Sequence, residues 1–568
     1  MARQESFELQ VFQVDHWVTQ GHSGNEQDAR KQAKSLLANP NYAGVRIVRD
    51  LVRGTGKESS AVIFTEMREA PSKELIRAQP IDEAPLCTAA ADLHRTEARN
   101  AMHKVMRQYI EKVTLTPTEI MHSHRELKRV LDFEALVPSA VSRVAALQAR
   151  EAGGEPQKRN KALFEMINEL YEQARQAEER PNLPDLSKLP DLGGVVKRLE
   201  QIVGADQIDY FTTVCLTKDL IQTRSWLGKL ERLLGLIKDD TDPRSRAVID
   251  RVASDIFGTT SGLRDLLGRQ PDLSTALCAV IDVIEGKFQP KGSDTPEVTA
   301  QLAEYLSSRE MVETRLALLR SVKRQMRGSV PLARGDGDSQ RKAYRDIVLR
   351  AMRGGMMLGG AAMADALALG YQRFVEEGGQ TGRRLAAARC VTTMETIADQ
   401  IRFMLALLDG EVAVEQRADF TGKIDALIRH AATVDDLVGK SAQPREKMQQ
   451  CALLHRALLA SPLPLELRDP LADRVDTLLA TYVDQSKIVE RLDDPSASLR
   501  LRATRLVQFC ASDALTRGKA SKTARAHVIT HLRQPSFDTL FVADLADPAE
   551  HAGALKSFYR LLKQAGFE

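Results

Sequence analysis

The sequence is short of cysteine, of long apolar runs, of net charge and of any complete catalytic motif, and each shortage excludes something. Its six cysteines (Cys87, Cys215, Cys278, Cys390, Cys451 and Cys510) are scattered, and no two stand in CxxC spacing. That rules out a disulfide framework and leaves buried thiols in a reducing compartment as the expectation. The most membrane-like stretch, Met356 to Leu369, is interrupted by Asp365. It is also shorter than the about 20 residues a spanning helix needs, so it reads as a buried helix. Met1-Ala2-Arg3-Gln4-Glu5 lacks the apolar core of a signal peptide, which makes the cytoplasm the expected compartment. With 80 basic and 77 acidic residues the net charge is only +3. No overall field draws in nucleic acid or an anionic membrane, so any electrostatic site must be local.

What the chain does have is material for several cores. It is 568 residues long, 43% hydrophobic and 28% charged, which suits three or four folded, well-solvated domains. Residues 1–68 differ from the rest. Phe7 to Val14 is rich in β-formers, and Trp17-Val18-Thr19 reads as a second short strand. Asn25 to Asn39 reads as a helix with Ala29, Ala33, Leu36 and Leu37 on one side, and Val45–Val48 and Ala61–Phe64 as two further strands. This ββαββ order predicts a small α+β domain, one helix covering one face of an antiparallel sheet. Pro71, Pro80 and Pro85 mark residues 69–92 as a linker.

The remainder reads as an all-α body: helical regions at 93–286, 297–440 and 441–568, with a linker at 287–296. Apolar side chains recur at helical spacing in Leu163-Phe164-Ile167-Leu170-Tyr171-Ala174, in Trp226-Leu227-Leu230-Leu233-Leu234-Ile237 and in Ile397-Ile401-Met404-Leu405-Leu408. Six helix starts are written as a capping residue followed by proline: Thr116-Pro117, Asp242-Pro243, Thr295-Pro296, Asp469-Pro470, Asp494-Pro495 and Asp547-Pro548. The cap's oxygen takes a free N–H, and proline loses nothing where that N–H would be an orphan. Glu119 and Glu550 add the reciprocal carboxylate of a capping box. Leu183-Pro184-Asp185-Leu186 is duplicated at Leu189-Pro190-Asp191-Leu192 and reads as a Pro-rich connector. No period of a helical solenoid is present.

Fragments of chemistry fall short of complete sites. Gly54-Thr55-Gly56-Lys57 lacks the first glycine of a phosphate loop and its trailing Ser or Thr, and lies between strands, so it reads as a hairpin turn. His527 and His531 share a helix face, but Val528 stands where a zinc protease has its Glu. His122 and His124 are two apart and point to different sides. No closed metal-ligand set emerges, so neither metal nor cofactor is expected. Arg334-Gly335-Asp336 is an adhesion tripeptide by spelling only, and Ile347 stands where a calcium loop starting at Asp336 needs its closing Glu. Asp239-Asp240-Thr241-Asp242, with Asp435-Asp436 and Lys440 as a second cluster, resembles in outline the facing Mg²⁺-binding aspartates of all-α isoprenoid synthases, without their Asp-Asp-x-x-Asp spacing. That resemblance implies a diphosphate or other phosphorylated substrate.

Two stretches are locally basic. Residues 315–353 hold eleven Lys or Arg against three Asp, and residues 500–533 hold eight against one, the latter in a helix–turn–helix outline around Gly518. Either is a candidate for weak nucleic-acid binding through phosphate contacts, although the acidic residues of 538–550 stand ready to neutralise the second. Gly354-Gly355 and Gly359-Gly360 each cost roughly 1 kcal/mol inside a helix and read as points of close helix packing, or as the place to look for a small-molecule pocket. With no nucleophile, base and orienting group together, the expected function is non-catalytic: an intracellular interaction or regulatory protein that binds protein partners through helical surfaces.

Overall fold

In a computed structural model the chain divides into two compact units, Met1–Arg77 and Ala78–Glu568. The structure describes every residue except 1–3, 14–15, 38–43, 53–57, 68–75, 190, 239–240, 291–295, 309, 375–382, 413, 517 and 568, and side chains except also 4, 13, 16, 51–52, 58–59, 372–374 and 383–386.

The first unit is the α+β domain read from the sequence. Strands β1 (Gln4–Gln13), β2 (His16–Ser23), β3 (Gly44–Val52) and β4 (Glu58–Met67) form one antiparallel sheet in the order β2-β1-β3-β4. Helix α1 (Glu26–Leu37) joins β2 to β3. Asn25 Oδ1 accepts the Asp28 N–H at 2.8 Å and starts the helix. Period-2 alternation sends Phe7, Leu9, Val11, Val45 and Ile47 to one face, where they bury against Ala29 and Ala33 of α1. The opposite face carries Glu8, Gln10, Phe12, Trp17, Arg46, Val48 and Val62, paired across the strands. An irregularity between Ile47 and Val48 shifts the register, so that Phe64 opposes Ile47 and Val62 opposes Val48.

So small a core limits stability. A domain of this size holds no more than about 3–5 kcal/mol from one apolar layer. Residues 1–77 expressed alone are therefore expected to fold, with a cooperative urea transition of no more than that magnitude. A random-coil circular dichroism spectrum would contradict the division into two units.

The second unit is built from helices. Segment 78–89 has no regular structure, yet Ala78, Ala84 and Cys87 are buried and the Gln79 N–H bonds the Val105 carbonyl at 2.7 Å. Helix Pro243–Ile256 packs on Val312–Met326, Leu273–Ile284 on Gly337–Ala351, and Ile397–Leu407 on Pro444–Leu459. These pairings tie residues 93–286 to 297–440 and those to 441–568. The three apolar stripes lie on helices Pro156–Glu179, Trp226–Gly235 and Ile397–Leu407; Leu163, Leu170, Leu230, Leu233, Ile401 and Met404 are buried.

The helix starts divide. Thr116 and Glu119 form the full capping box, with Glu119 N–H on Thr116 Oγ1 at 3.1 Å and Thr116 N–H on Glu119 Oε2 at 2.7 Å. Asp242 and Asp547 cap as read, although Asp547 accepts from Ala549 and no box with Glu550 forms. The other three differ. Pro296 is itself the cap position of Glu297–Ser307, and Thr295 lies outside the described residues. Pro470 sits inside helix Leu465–Gln485, whose first turn begins at Pro464, so the helix runs through it with one backbone bond missing. Asp494 closes a local turn onto the Ser496 N–H, and Ser498 caps the helix Leu499–Ala511. The duplicated Leu-Pro-Asp-Leu is more than a connector. Asp185 caps the 3-10 turn Leu186–Lys188 and Asp191 caps helix Leu192–Leu199, each followed by a buried leucine.

The stretch Met356–Leu369 is only partly helical. Helix Ala361–Phe374 begins after both glycine pairs, and Gly355, Gly359 and Gly360 have φ of 97°, 78° and 64°. Their main requirement is a left-handed backbone, not the close helix packing expected from the sequence, although a Cβ on Gly355 would also meet Leu453 at 2.9 Å. Asp365 is buried and accepts the Glu411 and Val412 N–H groups at 2.8 and 3.2 Å. Among the described residues no helix is long and apolar enough to cross a membrane.

Candidate functional site

Two surfaces in the structure have the make-up of binding sites, one in each unit. The first is the sheet face that α1 leaves uncovered within its own unit. Phe12 and Trp17 oppose each other across β1 and β2, with ring centroids 5.1 Å apart. The Arg46 guanidinium lies 4.5 Å from the Trp17 ring centroid and donates to Gln10 Oε1 at 2.6 Å. Thr19 donates to Glu8, and that bond, with one from Gln10, holds the Glu8 carboxyl below its ordinary value. Val62 is 54% exposed and Met67 49%. An aromatic pair with a stacked guanidinium and exposed aliphatic neighbours is the composition found at the centre of protein interfaces.

The second is a groove of about 810 Å³ in the helical unit, between the helices Leu273–Ile284 and Gly337–Ala351 and the segment around Phe288. Its volume lies within the usual range for ligand sites, roughly 300–1,000 Å³. Arg269, Arg350 and Arg353 line it beside Asp282 and Asp346. Arg350 and Arg353 both pair with Asp282, the latter at 3.0 Å. Burial pushes the Cys278 thiol, also in its wall, up to about 11, so this cysteine is not an activated nucleophile. Arg350 and Arg353 end the first basic stretch and immediately precede Gly354. None of the four glycines from 354 to 360 lines this groove; its wall is made by arginines before them and by a helix some 70 residues upstream.

Most of the other residues singled out from the sequence that the structure describes have structural employment. Residues 54–57, read as a hairpin turn, lie outside the described residues. Asp239 and Asp240 also lie outside them. Asp242 caps its helix through the Ser245 N–H at 2.9 Å. Asp436, inside the first turn of Val434–Val438, accepts the N–H of the cap residue Thr433 at 2.8 Å, and Asp435 pairs with Lys447 at 2.6 Å. Asp336 caps Gly337–Ala351. His527 and His531 do share a face, and both grip one carboxylate: Asp493 takes each at 2.7 Å and Arg502 at 2.8 Å. His122 ends one helix and His124 opens another, because Ser123 breaks the chain between them. Among the described residues, no three His, Cys, Asp or Glu side chains are placed to hold a metal ion.

Much of the charge in both basic stretches is paired. Arg345 meets Glu395, Arg500 meets Asp544 at 2.9 Å, and Lys519 meets Asp473 at 2.6 Å. Arg525 donates to the carbonyls of Ala565 and Gly566 and covers the Phe567 ring. Of the acidic segment 538–550, Asp544 reaches the basic stretch, while Asp538 accepts from Tyr559 and Asp547 caps its own helix.

No family model, curated protein or solved structure matches this chain.

The most concentrated polar chemistry is one that the sequence did not reveal. Arg99, 2% exposed, donates to Asp255 at 2.9 Å, Glu313 at 2.7 Å and the His94 carbonyl at 2.6 Å. Asp255 also accepts the Thr118 hydroxyl and N–H at 2.6 and 3.1 Å. Beside them the His94, His122 and Tyr210 rings cluster, with centroids 4.8 to 6.1 Å apart. Burial, with Arg251 and Arg99 nearby, lowers His94 to about 4, and burial raises Tyr210. The His94 ring nitrogens and the Tyr210 hydroxyl are buried without a protein partner. The pairs are 156 and 214 residues apart in the chain. No local spacing records them, and each residue alone is an ordinary helical residue.

Proposed function

We propose that this chain is a non-catalytic binding protein, and that its N-terminal unit recognises a protein partner across the open face of its sheet. The observation that carries this reading is the Phe12–Trp17–Arg46 cluster beside exposed Val62, on the face opposite α1. Burying such a surface against a partner yields hydrophobic and cation–π energy that water does not supply. The edge strands β2 and β4 add unpaired backbone groups that a partner strand can extend. The histidine–tyrosine cluster does not by itself support catalysis. Its polar atoms are buried, whereas a catalytic group must reach substrate.

The test uses the full chain. Trp17→Ser and Val62→Asp each change the open face and leave the Phe7–Leu9–Val11 core untouched. Partners captured by the wild type are quantified by mass spectrometry against each variant. Truncating a central aromatic anchor costs about 2 kcal/mol or more, so capture is expected to fall at least tenfold with the circular dichroism spectrum unchanged. Undiminished capture by both folded variants would overturn the assignment to this face.

A further inference from the structure

A separate feature stands apart from the sheet face. Helices Thr96–Val105, Pro117–His122, His124–Leu131, Leu136–Ala152 and Pro156–Glu179 line, with residues 85–93, a partly open cavity of about 110 Å³. Its wall is almost wholly apolar, with Met121, Leu127, Val141, Leu163 and Leu170 among its side chains. The two side chains that bring polar atoms are already engaged. Gln148 donates to the Pro85 carbonyl and accepts Arg159 Nε at 2.6 Å, and the Cys87 thiol lies 3.6 Å from the same Pro85 carbonyl.

We infer that this cavity is a binding site for a small uncharged apolar molecule of up to about seven to eleven non-hydrogen atoms, a single ring or a short alkyl chain. The size follows from the volume, since one water-sized occupant needs roughly 10–15 Å³. The chemistry follows from the wall. Water needs two to four polar partners and finds none free here, so the space stays dry, and a hydrocarbon guest restores the dispersion contacts that the lining atoms lack. Access lies along Met102, Leu131, Val144 and Ile167, which are half-buried where most of the wall is buried. Three methionines in the wall, Met102, Met106 and Met121, can shift rotamer to admit a guest without breaking a hydrogen bond.

The experiment is ligand-observed saturation-transfer NMR on the full chain, with benzene as probe and benzoate as its charged counterpart. Benzene is expected to receive saturation and benzoate to receive none. Ala140→Leu fills the space and is expected to abolish the benzene signal while thermal melting shows an intact fold. Val141→Thr keeps the volume but places a hydroxyl in the wall, and is expected to weaken benzene binding threefold to tenfold; it serves if the filled variant does not fold. Three results would each overturn the inference: no benzene signal in the wild type, equal benzene signals in wild type and folded variants, or benzoate binding as well as benzene.

Discussion

Lowering the pH from 7 to 4.5 should destabilise the helical unit by about 5 kcal/mol through His94 and His103, about 2.5 kcal/mol each. Both are buried, and burial lowers each from an ordinary value of 6.5 to about 4. The unfolded chain therefore takes up these two protons as pH falls through 6.5, while the folded chain refuses them until about pH 4. Stability is whole above that window and is lost progressively inside it. His122, driven well below its ordinary value by its own burial and by His94, acts in the same sense. Asp250 and Glu119, raised by burial, act in the opposite sense and offset part of the loss. Glu313 and Asp493, held low by their hydrogen bonds, matter only at more acidic pH. Urea midpoints followed by circular dichroism at 222 nm check the slope. His94→Phe keeps a ring against His122 and Tyr210 and removes two nitrogens that have no partner, so it should cost little at pH 7. It should also remove about half of the two-histidine acid sensitivity. Midpoints that stay flat from pH 7 to 4.5 would show that these rings reach water on the way down.

The N-terminal unit was legible because its rules are local. Alternation in Phe7–Leu9–Val11 names the buried face of a strand, and Ala29–Ala33 names the helix face that lies on it. The body's helices were legible for the same reason, since an apolar stripe of period 3.6 has one explanation. Where the reading failed, a neighbouring residue competed for the role. Pro464 opened the helix before Pro470, and Ser498 took the cap from Asp494. The glycines at 355, 359 and 360 were misread because period and composition report burial, whereas their requirement is a positive φ.

The polar cluster was illegible for the opposite reason. The three side chains met by Arg99 come from two distant helices, Ser254 and Asp255 from one and Glu313 from the other. A sequence scan tests spacings within one element, and these contacts cross from Thr96–Val105 to Pro243–Ile256 and Val312–Met326. The signal available was thermodynamic, not spatial: an arginine among the buried Ala98, Ala101, His103 and Val105 of one helix must be paired or exposed. That argument flags Arg99 but does not name its partner. Asp493, which collects His527, His531 and Arg502, shows the same limit. The i, i+4 histidines were found, and their common acceptor, 34 residues upstream of the first, was not.

Arg99→Met should cost about 3–5 kcal/mol, because removing one member of a buried ionic group leaves the others charged and desolvated. The guanidinium has four acceptors, and methionine, of similar length and apolar, replaces none of them. Asp255 keeps the Thr118 hydroxyl and N–H, and Glu313 keeps the Thr96 hydroxyl at 2.7 Å, so the two carboxylates stay hydrogen-bonded but lose their cation. Adding Asp255→Asn to Arg99→Met removes the stranded charge, while the asparagine carbonyl oxygen can still accept from Thr118. The double variant should therefore be more stable than the sum of the two single losses implies, by about 1–3 kcal/mol in a double-mutant cycle. Urea unfolding of the full chain at pH 7, read by circular dichroism, measures all four corners of that cycle. A loss below about 1 kcal/mol for Arg99→Met, or strictly additive effects, would mean that water rather than Arg99 balances these carboxylates. A large, non-additive loss would make this contact the clasp that fixes Thr96–Val105 against Pro243–Ile256 and Val312–Met326, joining two stretches of chain on either side of the linker read at residues 287–296.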